Sequence, residues 1–501
     1  MNVTKVFGPP GTGKTTYLLN VVDNLLQNGT PAASIGYFAF TRKAAHEAKE
    51  RAYARFQQLD FKRDLANFRT LHSLAYARLG IQASRIATAE NYKEFANLAK
   101  INLSVDRGDE SWEVRADHPI LNVINLARIK GADLKAEYNR SNLNIEWQHF
   151  YYVYQMYRKY MNEKGLLDFT DLLEMFAEAN ETYYPQLDVV IIDEAQDLSP
   201  LQWKIADRLI KRANKAYIAG DDDQAIFGWA GADVRSLLTY PGEQVVLNQS
   251  YRIPKVVHDY SNKIIQRVKY RVPKTWNARD EQGELHFYAR YSDVNLIEGS
   301  WLILAPTNYI LNDVHDYLKS MGILFERNGI RSIGELTIEA VYAWEDLRKG
   351  KSIGSKQIKA LYSYLGPEGI ARGFKKFIGD PDESYDYGRL QEVGGLLAGK
   401  DQPWYDALSR LSDSNRVYIR ASLRRGQSLR GNPRVRISTI HGAKGGEADH
   451  VLLLTDLSSQ FTREQEINPD DINRLYYVGL TRTRKSLHIV YPQDQYKAFR
   501  L

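Results

Sequence analysis

Residues 3–16, VTKVFGPPGTGKTT, constrain this chain more than any other stretch. Residues 3–7 alternate like a strand and run straight into Gly8-Pro9-Pro10-Gly11-Thr12-Gly13-Lys14-Thr15, with Thr16 behind them. This is the G-x-x-x-x-G-K-[ST] pattern of a phosphate-binding loop. Glycine at 8, 11 and 13 lets the backbone curl until successive N–H groups face one anion. Lys14 sets a point charge where β- and γ-phosphates would lie, and the Thr15 hydroxyl is placed to ligate Mg²⁺. Residues 15–26 read as a helix whose N-terminus faces those phosphates. A strand, such a loop and a helix in succession predict an α/β fold that binds a nucleotide.

Composition narrows the setting. The length, 501 residues, suggests about three or four domains. The net charge of +6 is compatible with a polyanionic partner but too small for this length to demand one. The chain has no cysteine, which excludes disulfides and thiolate metal sites and fits a cytoplasmic location. It enters its first strand at once, so no signal peptide is expected. No apolar run approaches ~20 residues, so no membrane span is expected either.

Further α/β signals follow in order. Residues 35–41 (IGYFAFT) read as a second buried strand and 42–57 as a helix rich in Ala, Lys, Arg and Glu. Thr41 and Arg42 sit at their junction, where N–H groups could take a phosphate or simply begin a solvated helix. Residues 81–184 read as helical, without strand signals. In 146–161, Trp147, Phe150, Tyr154, Tyr157 and Met161 recur at spacings of three and four, most simply a core face and alternatively a stacking face for bases. Residues 188–192 form a β-branched run that ends in Asp193-Glu194. A strand ending in two acids is often only a solvated turn. Beside a phosphate loop it is where Mg²⁺ and the attacking water are held. A strand at 215–219 leads into GDDDQAIFGWAG, whose Gln224 could sense a γ-phosphate and whose Phe227 and Trp229 could offer faces to bases. Strands at 244–247, 284–288, 301–305, 435–440, 450–455 and 486–491 complete the pattern, with a largely helical stretch at 333–431. Helices are expected at 254–268, 308–321 and 469–478.

The chain resembles the UvrD/Rep-like helicases of superfamily 1. The resemblance rests on nine boxes in the family's order: GPPGTGKT (8–15), FTRKAA (40–45), TLHSLA (70–75), LLDFTDLL (166–173), VIIDEAQD (190–197), GDDDQAIFGWAGA (220–232), LNQSYR (247–252), STIHGAKGGE (438–447) and LYYVGLTRTR (475–484). It implies two RecA-like lobes, parallel sheets flanked by helices, each with a mainly helical insertion. The first lobe would comprise 1–78 and 185–246 around an insertion at 79–184. The second would comprise 247–331 and 433–501 around an insertion at 332–432.

The resemblance also implies roles. Gly8 to Thr16 would bind the nucleotide, with Lys14 on the phosphates and Thr15 and Asp193 on Mg²⁺. Glu194 would polarise water, Gln224 would sense the γ-phosphate, Tyr251 would stack on adenine and Glu447 would lie near the ribose. Arg252 and Arg482 would be the arginines that reach the γ-phosphate from the second lobe. Thr41, Arg42, His72, Phe227, Trp229 and His441 would line a single-strand path. The activity implied is ATP-driven translocation on single-stranded DNA with 3′ to 5′ unwinding at single-strand/duplex junctions, in repair or replication. Protein partners would be those of repair, replication or a phage-encoded system. The alternative is a DNA-stimulated ATPase that remodels protein–DNA complexes without robust unwinding; a P-loop kinase or switch would leave the second-lobe arginines unexplained. Two departures stand out: the adenine-reading Gln expected ahead of the first strand is absent, and the second insertion is short for the family.

Overall fold

The computed structural model describes residues 2–56, 59–107, 114–296 and 298–501. The chain forms two compact units, Met1–Gln282 with Ile467–Thr481, and Gly283–Glu466 with Arg482–Leu501. Each is built on a RecA-like sheet flanked by helices.

In the first unit the strands are β1 (Asn2–Phe7), β2 (Ile35–Ala39), β3 (Phe68–Arg69), β4 (Ser104–Arg107), β5 (Val114–Asp117), β6 (Val189–Asp193), β7 (Lys215–Gly220) and β8 (Glu243–Val246). Six of them form a sheet in the order β3-β2-β6-β7-β1-β8, and every pairing in it is parallel. Helices cover both faces, so the central strands are apolar throughout rather than alternating. Successive residues serve opposite layers. Tyr37, Ala39, Val189 and Ile191 join one core cluster, while Phe38, Val190 and Ile192 join the other. The register sets Ala39 beside Asp193 and Phe7 beside Gly220. The loops after β1, β6 and β7 therefore open at the same carboxyl edge of the sheet, where open α/β sheets place their ligands.

The insertion departs from the sequence reading in one respect. It is mainly helical, but β4 and β5 form an antiparallel hairpin within it. At four residues each, SVDR and VRAD, the strands are too short for a period of two to stand out, and they pair only with each other. The aromatic stripe lies on helix Trp147–Glu163 and is a core face: Phe150, Tyr157 and Met161 are buried, with Trp147 and Tyr154 packed against the same cluster. The helix expected at 42–57 runs over Arg42–Arg55, and the expected end at residue 57 lies outside the described residues.

The second unit holds β9 (Glu284–Tyr288), β10 (Trp301–Ala305), β11 (Phe325–Arg327), β12 (Ile330–Arg331), β13 (Ile353–Gly354), β14 (Ser384–Tyr385), β15 (Val435–Thr439), β16 (Ala448–Leu454) and β17 (Thr483–Val490). Seven form a sheet in the order β12-β11-β15-β10-β16-β17-β9, parallel except for the β11–β12 pair. One core cluster runs from Trp301 and Ile303 in this sheet to Trp344, Leu361 and Tyr418 in residues 332–432.

The compact units do not divide where the motif order suggested. Residues 247–282 and 467–481 group with the first unit, because charge pairs tie them to it. Arg271 and Lys274 bind Asp222 and Asp223, and Asp470 accepts from the backbone N–H groups of Lys269 and Tyr270.

Candidate nucleotide and nucleic-acid sites

The loop after β1 has the backbone its glycines require. Gly11 and Gly13 adopt φ of +73° and +78°, a region that L side chains rarely enter. A Cβ on Gly8 would lie 1.9 Å from Cγ of Lys14, so the lysine can fold back over the loop only because residue 8 is glycine. Lys14 Nζ donates to the Gly8 carbonyl at 3.2 Å and lies 3.6 Å from the Glu194 carboxylate. The Thr12 hydroxyl donates to the Pro9 carbonyl at 2.8 Å and pins the turn. Gly13 caps helix Lys14–Gln27 with no side-chain acceptor, which leaves the first turn, with Thr15 and Thr16, to an external anion.

Asp193 ends β6 almost fully buried. Tyr37 donates its hydroxyl to it at 2.7 Å, and the Glu194 N–H donates at 2.9 Å. Burial, then the neighbouring Glu194 charge, pushes the Asp193 pKa up to about 6. A carboxylate so placed is one that a divalent cation would stabilise. Among the described residues no cluster of three or more His, Cys, Asp and Glu forms a metal cage. That donor set suits Mg²⁺, which takes one or two carboxylates and completes its shell with phosphate and water. Glu194 itself is left-handed, φ +53°, a conformation that costs a non-glycine residue energy and turns its side chain out of the strand direction.

One residue that the sequence reading missed joins these loops. Gln196 is fully buried; its Nε2 donates to Glu194 at 2.5 Å and to Asp197 at 3.2 Å, and its Oε1 accepts from the Asp221 N–H at 3.0 Å. Gln224 in turn donates to Asp221 at 2.6 Å. The proposed base and the proposed γ-phosphate sensor thus share one chain of hydrogen bonds. The three consecutive acids at 221–223, a poor core sequence by composition, are all buried. Lys274 lies 3.4 Å from Asp221 and 2.9 Å from Asp223 and pairs with Asp222. Arg271 makes a bidentate contact with Asp223, both bonds 2.7 Å. Burial opposes the Lys274 charge, but the three aspartates outweigh it and raise the pKa. The partners lie about fifty residues away in sequence, so no local motif could have announced them.

Residues 250–252 are stitched to the phosphate loop. The Ser250 hydroxyl donates to the Pro10 carbonyl at 2.8 Å and the Tyr251 N–H to the Gly11 carbonyl at 2.9 Å. A Cβ on Gly11 would lie 2.5 Å from Cβ of Arg252, so close approach is a second reason for glycine there. The Tyr251 ring is 73% exposed beside the loop, anchored only through its backbone.

The second unit holds the remaining nucleotide candidates. Arg482 is 2% exposed and donates to the Gly446 carbonyl at 3.4 Å. It is therefore no solvated arginine at a helix end. Arg484 pairs with Glu447 at 2.8 Å, which makes it a partner of a candidate residue rather than an inert neighbour. His441 follows β15, its ring 6.3 Å from that of Phe461.

Two of the strand-path candidates of the first unit, His72 and Phe227, line a cavity of about 330 Å³. Phe227 stacks on Phe40 at 5.8 Å, and both line it with His72. Trp229 is 67% exposed beside Phe227, so its ring is no part of the core. Thr41 caps helix Arg42–Arg55 by accepting from the Ala44 N–H, and Arg42 is exposed. The far wall explains the LLDFTDLL box. Asp168 caps helix Phe169–Glu178, and Arg128 binds Asp168, Asp171 and Glu174 at 2.6–2.7 Å. Phe40 was another miss, since inside an apolar strand a ring that lines a cavity looks like any core residue.

Comparison with known proteins agrees with this geometry. Residues 2–243 match the UvrD/REP helicase N-terminal domain, and residues 409–494 match the UvrD-like helicase C-terminal domain. The chain is 25% identical over 373 residues to the ATP-dependent DNA helicase PcrA of Staphylococcus aureus, covering 71% of this chain and 50% of that protein. The Leuconostoc citreum protein of the same name is 25% identical over 416 residues (77% and 54%), and the Bacillus subtilis one 26% over 403 (76% and 52%). The chain spans about half the length of the curated relatives it matches.

Proposed function

This chain belongs to the UvrD/Rep-like helicase family, and on that premise we propose that it is an ATP-hydrolysing translocase on single-stranded DNA that unwinds duplex 3′ to 5′. The observation that carries the reading is the meeting of Lys14, Asp193, Glu194 and Gln224 at one sheet edge through contacts of 2.5–3.6 Å. Lys14, which lies against Glu194, is poised to exchange that carboxylate for phosphate oxygens. Thr15 and Asp193 would hold Mg²⁺, which supplies charge neutralisation at the phosphates. Glu194 accepts the proton of an attacking water, its carboxylate held in place by Gln196. Arg252 and Arg482 would stabilise charge on the transferring group, a role that elsewhere is worth about 10³–10⁵ in turnover. Tyr251 offers its exposed ring to the base and Glu447 its carboxylate to the ribose.

On the nucleic-acid side, Phe227 and Trp229 would stack on bases, as single-strand sites do. Thr41, Arg42, His72 and His441 would contact the same strand. ATP turnover measured alone and with single-stranded DNA, RNA and duplex, together with unwinding of a forked duplex with either tail polarity, tests the proposal. Stimulation by single-stranded DNA and unwinding only of the 3′-tailed fork are expected. Turnover indifferent to nucleic acid would overturn the translocase reading; stimulated turnover without strand separation would overturn unwinding alone.

A further inference from the structure

A cavity of about 630 Å³ in the second unit has none of the nucleotide or strand candidates among its described lining residues. Its volume falls in the range of about 300–1,000 Å³ that ligand pockets occupy. We infer that it docks an acidic peptide of a partner protein, with an apolar side chain of that peptide in the cavity and its carboxylates on Arg425 and Arg434. The inference does not rest on the translocase reading.

The sequence supplies the charge. Residues 424–436 hold five arginines and neither Asp nor Glu. Two of the five are engaged elsewhere: Arg430 pairs with Glu339 at 3.2 Å, and Arg436 donates to the Glu447 carbonyl. Arg425 and Arg434 stand exposed on the cavity wall, and Asp293 is the only carboxylate among the described residues that line it. A basic residue just past helix Asp413–Arg424 is favourable with its dipole, which accounts for Arg425 but not for Arg434, ten residues on. The fold supplies the floor. Leu296, Met321, Ile323 and Leu324 line the same space, and Met321 is 37% exposed.

The walls are held by their own hydrogen bonds. Gln427 donates to the Gly322 carbonyl at 2.8 Å and accepts from the Leu324 N–H at 3.0 Å. Arg331 donates to the Leu429 and Gly431 carbonyls, both at 2.6 Å. Tyr317 donates its hydroxyl to the Ser292 carbonyl at 3.2 Å and packs edge-on against Tyr291. A site built in advance has less ordering entropy to lose when its ligand arrives.

Composition decides the ligand. Cores of protein interfaces are enriched in Tyr, Met and Arg and depleted in Lys and Glu. This wall has Tyr317, Met321, Arg425 and Arg434, with neither Lys nor Glu among its described residues. A nucleic-acid backbone would pair with the arginines but bring no aliphatic group to the floor. A small free anion would leave the apolar volume unfilled. A peptide with acids beside a Leu, Ile or Phe meets both demands: the guanidinium–carboxylate bonds give direction, and apolar burial gives affinity.

The test pans a phage-displayed library of random dodecapeptides on the wild-type chain, with counter-selection on Arg425→Glu/Arg434→Glu. Recovered peptides should carry Asp or Glu beside Leu, Ile or Phe. Labelled with fluorescein, they should lose at least about 10-fold in affinity on the double Glu variant, where like charges now face each other. On Met321→Gln they should lose about 3–10-fold through the apolar contact alone. Melting temperatures should stay within about a degree or two of wild type, as for other exposed sites. If the double variant folds poorly, Met321→Gln still reads the cavity. A selection that yields no peptide able to tell wild type from these variants would overturn the inference, as would recovered peptides that lack acids. Tighter binding of a short duplex DNA than of any recovered peptide, lost in the double variant, would give the wall to nucleic acid instead. Self-association of wild type that the double variant abolishes would give it to a second copy of the chain.

Discussion

At Lys274 an ammonium with no side-chain exposure meets three aspartates that are equally buried. Removing one partner of a buried pair leaves uncompensated charge and costs about 3–5 kcal/mol. Lys274→Met should therefore destabilise the first unit by about that much in urea denaturation. A loss under 1 kcal/mol at pH 7 would show that the three acids do not depend on this lysine. Glu194→Gln belongs to the same hydrogen-bond chain but tests chemistry. The carboxamide cannot accept the water's proton, so stimulated hydrolysis should fall at least 10²-fold while ATP and Mg²⁺ binding persist. Near wild-type turnover would remove Glu194 as the base. The contrast between these two residues shows what a sequence makes legible. Lys14, Asp193 and Glu194 sit in contiguous motifs whose spacing is their geometry. Gln196 stands inside a motif, yet its role appears only once Asp221, 25 residues away, is beside it. Lys274 has no local signal at all.

Elements add properties that single residues lack. The turn Gly228–Ala230 holds Trp229 clear of the core, at 67% exposure. Trp229→Ala should weaken single-strand binding by about 1–3 kcal/mol if the ring stacks on a base. Stability should move by no more than about 0.5 kcal/mol, as for other exposed sites. Lower melting temperature with unchanged DNA affinity would contradict that. In the second sheet β9, β16 and β17 bring His286, His450 and His488 together, with the Ser486 hydroxyl within 2.6–2.7 Å of the last two. Burial, then the His286 and His450 charges, lowers the His488 pKa to about 4. The unfolded chain takes that proton near 6.5, so the native state binds fewer protons between the two values. Stability is full above about pH 6.5 and declines as pH falls toward 4. Allowing for partial solvent screening, this group accounts for about 1–3 kcal/mol. His488→Phe should shrink the drop in melting temperature between pH 7 and pH 5; an unchanged drop would assign it to other groups. The strands that carry these histidines were legible as apolar runs. The hairpin β4–β5 was not, because strands of four residues are too short for a period of two to stand out.

At the scale of the molecule, the chain leaves the first unit at Gln282, returns for Ile467–Thr481 and leaves again. Tyr477, in helix Pro469–Leu480, packs with Ile265 and Val268, and Arg474 donates to the Asp222 carbonyl at 2.9 Å. A fragment of residues 1–282 should accordingly melt lower than the same fragment carrying 467–481 on a flexible linker, by about 2–4 °C for each kcal/mol the helix contributes. Equal melting temperatures would show that the helix is dispensable to the first unit. The same threading sets a schedule for biosynthesis. Chains emerge at roughly 5–20 residues per second, so the first unit waits roughly 10–40 s after its residue 282 before its last helix exists. During that interval Ile265, Val268 and the acidic loop at 221–223 lack their final cover. A nascent chain stalled before residue 469 would present that face to chaperones and proteases, whereas the released 501-residue chain has its last helix in hand to seal it.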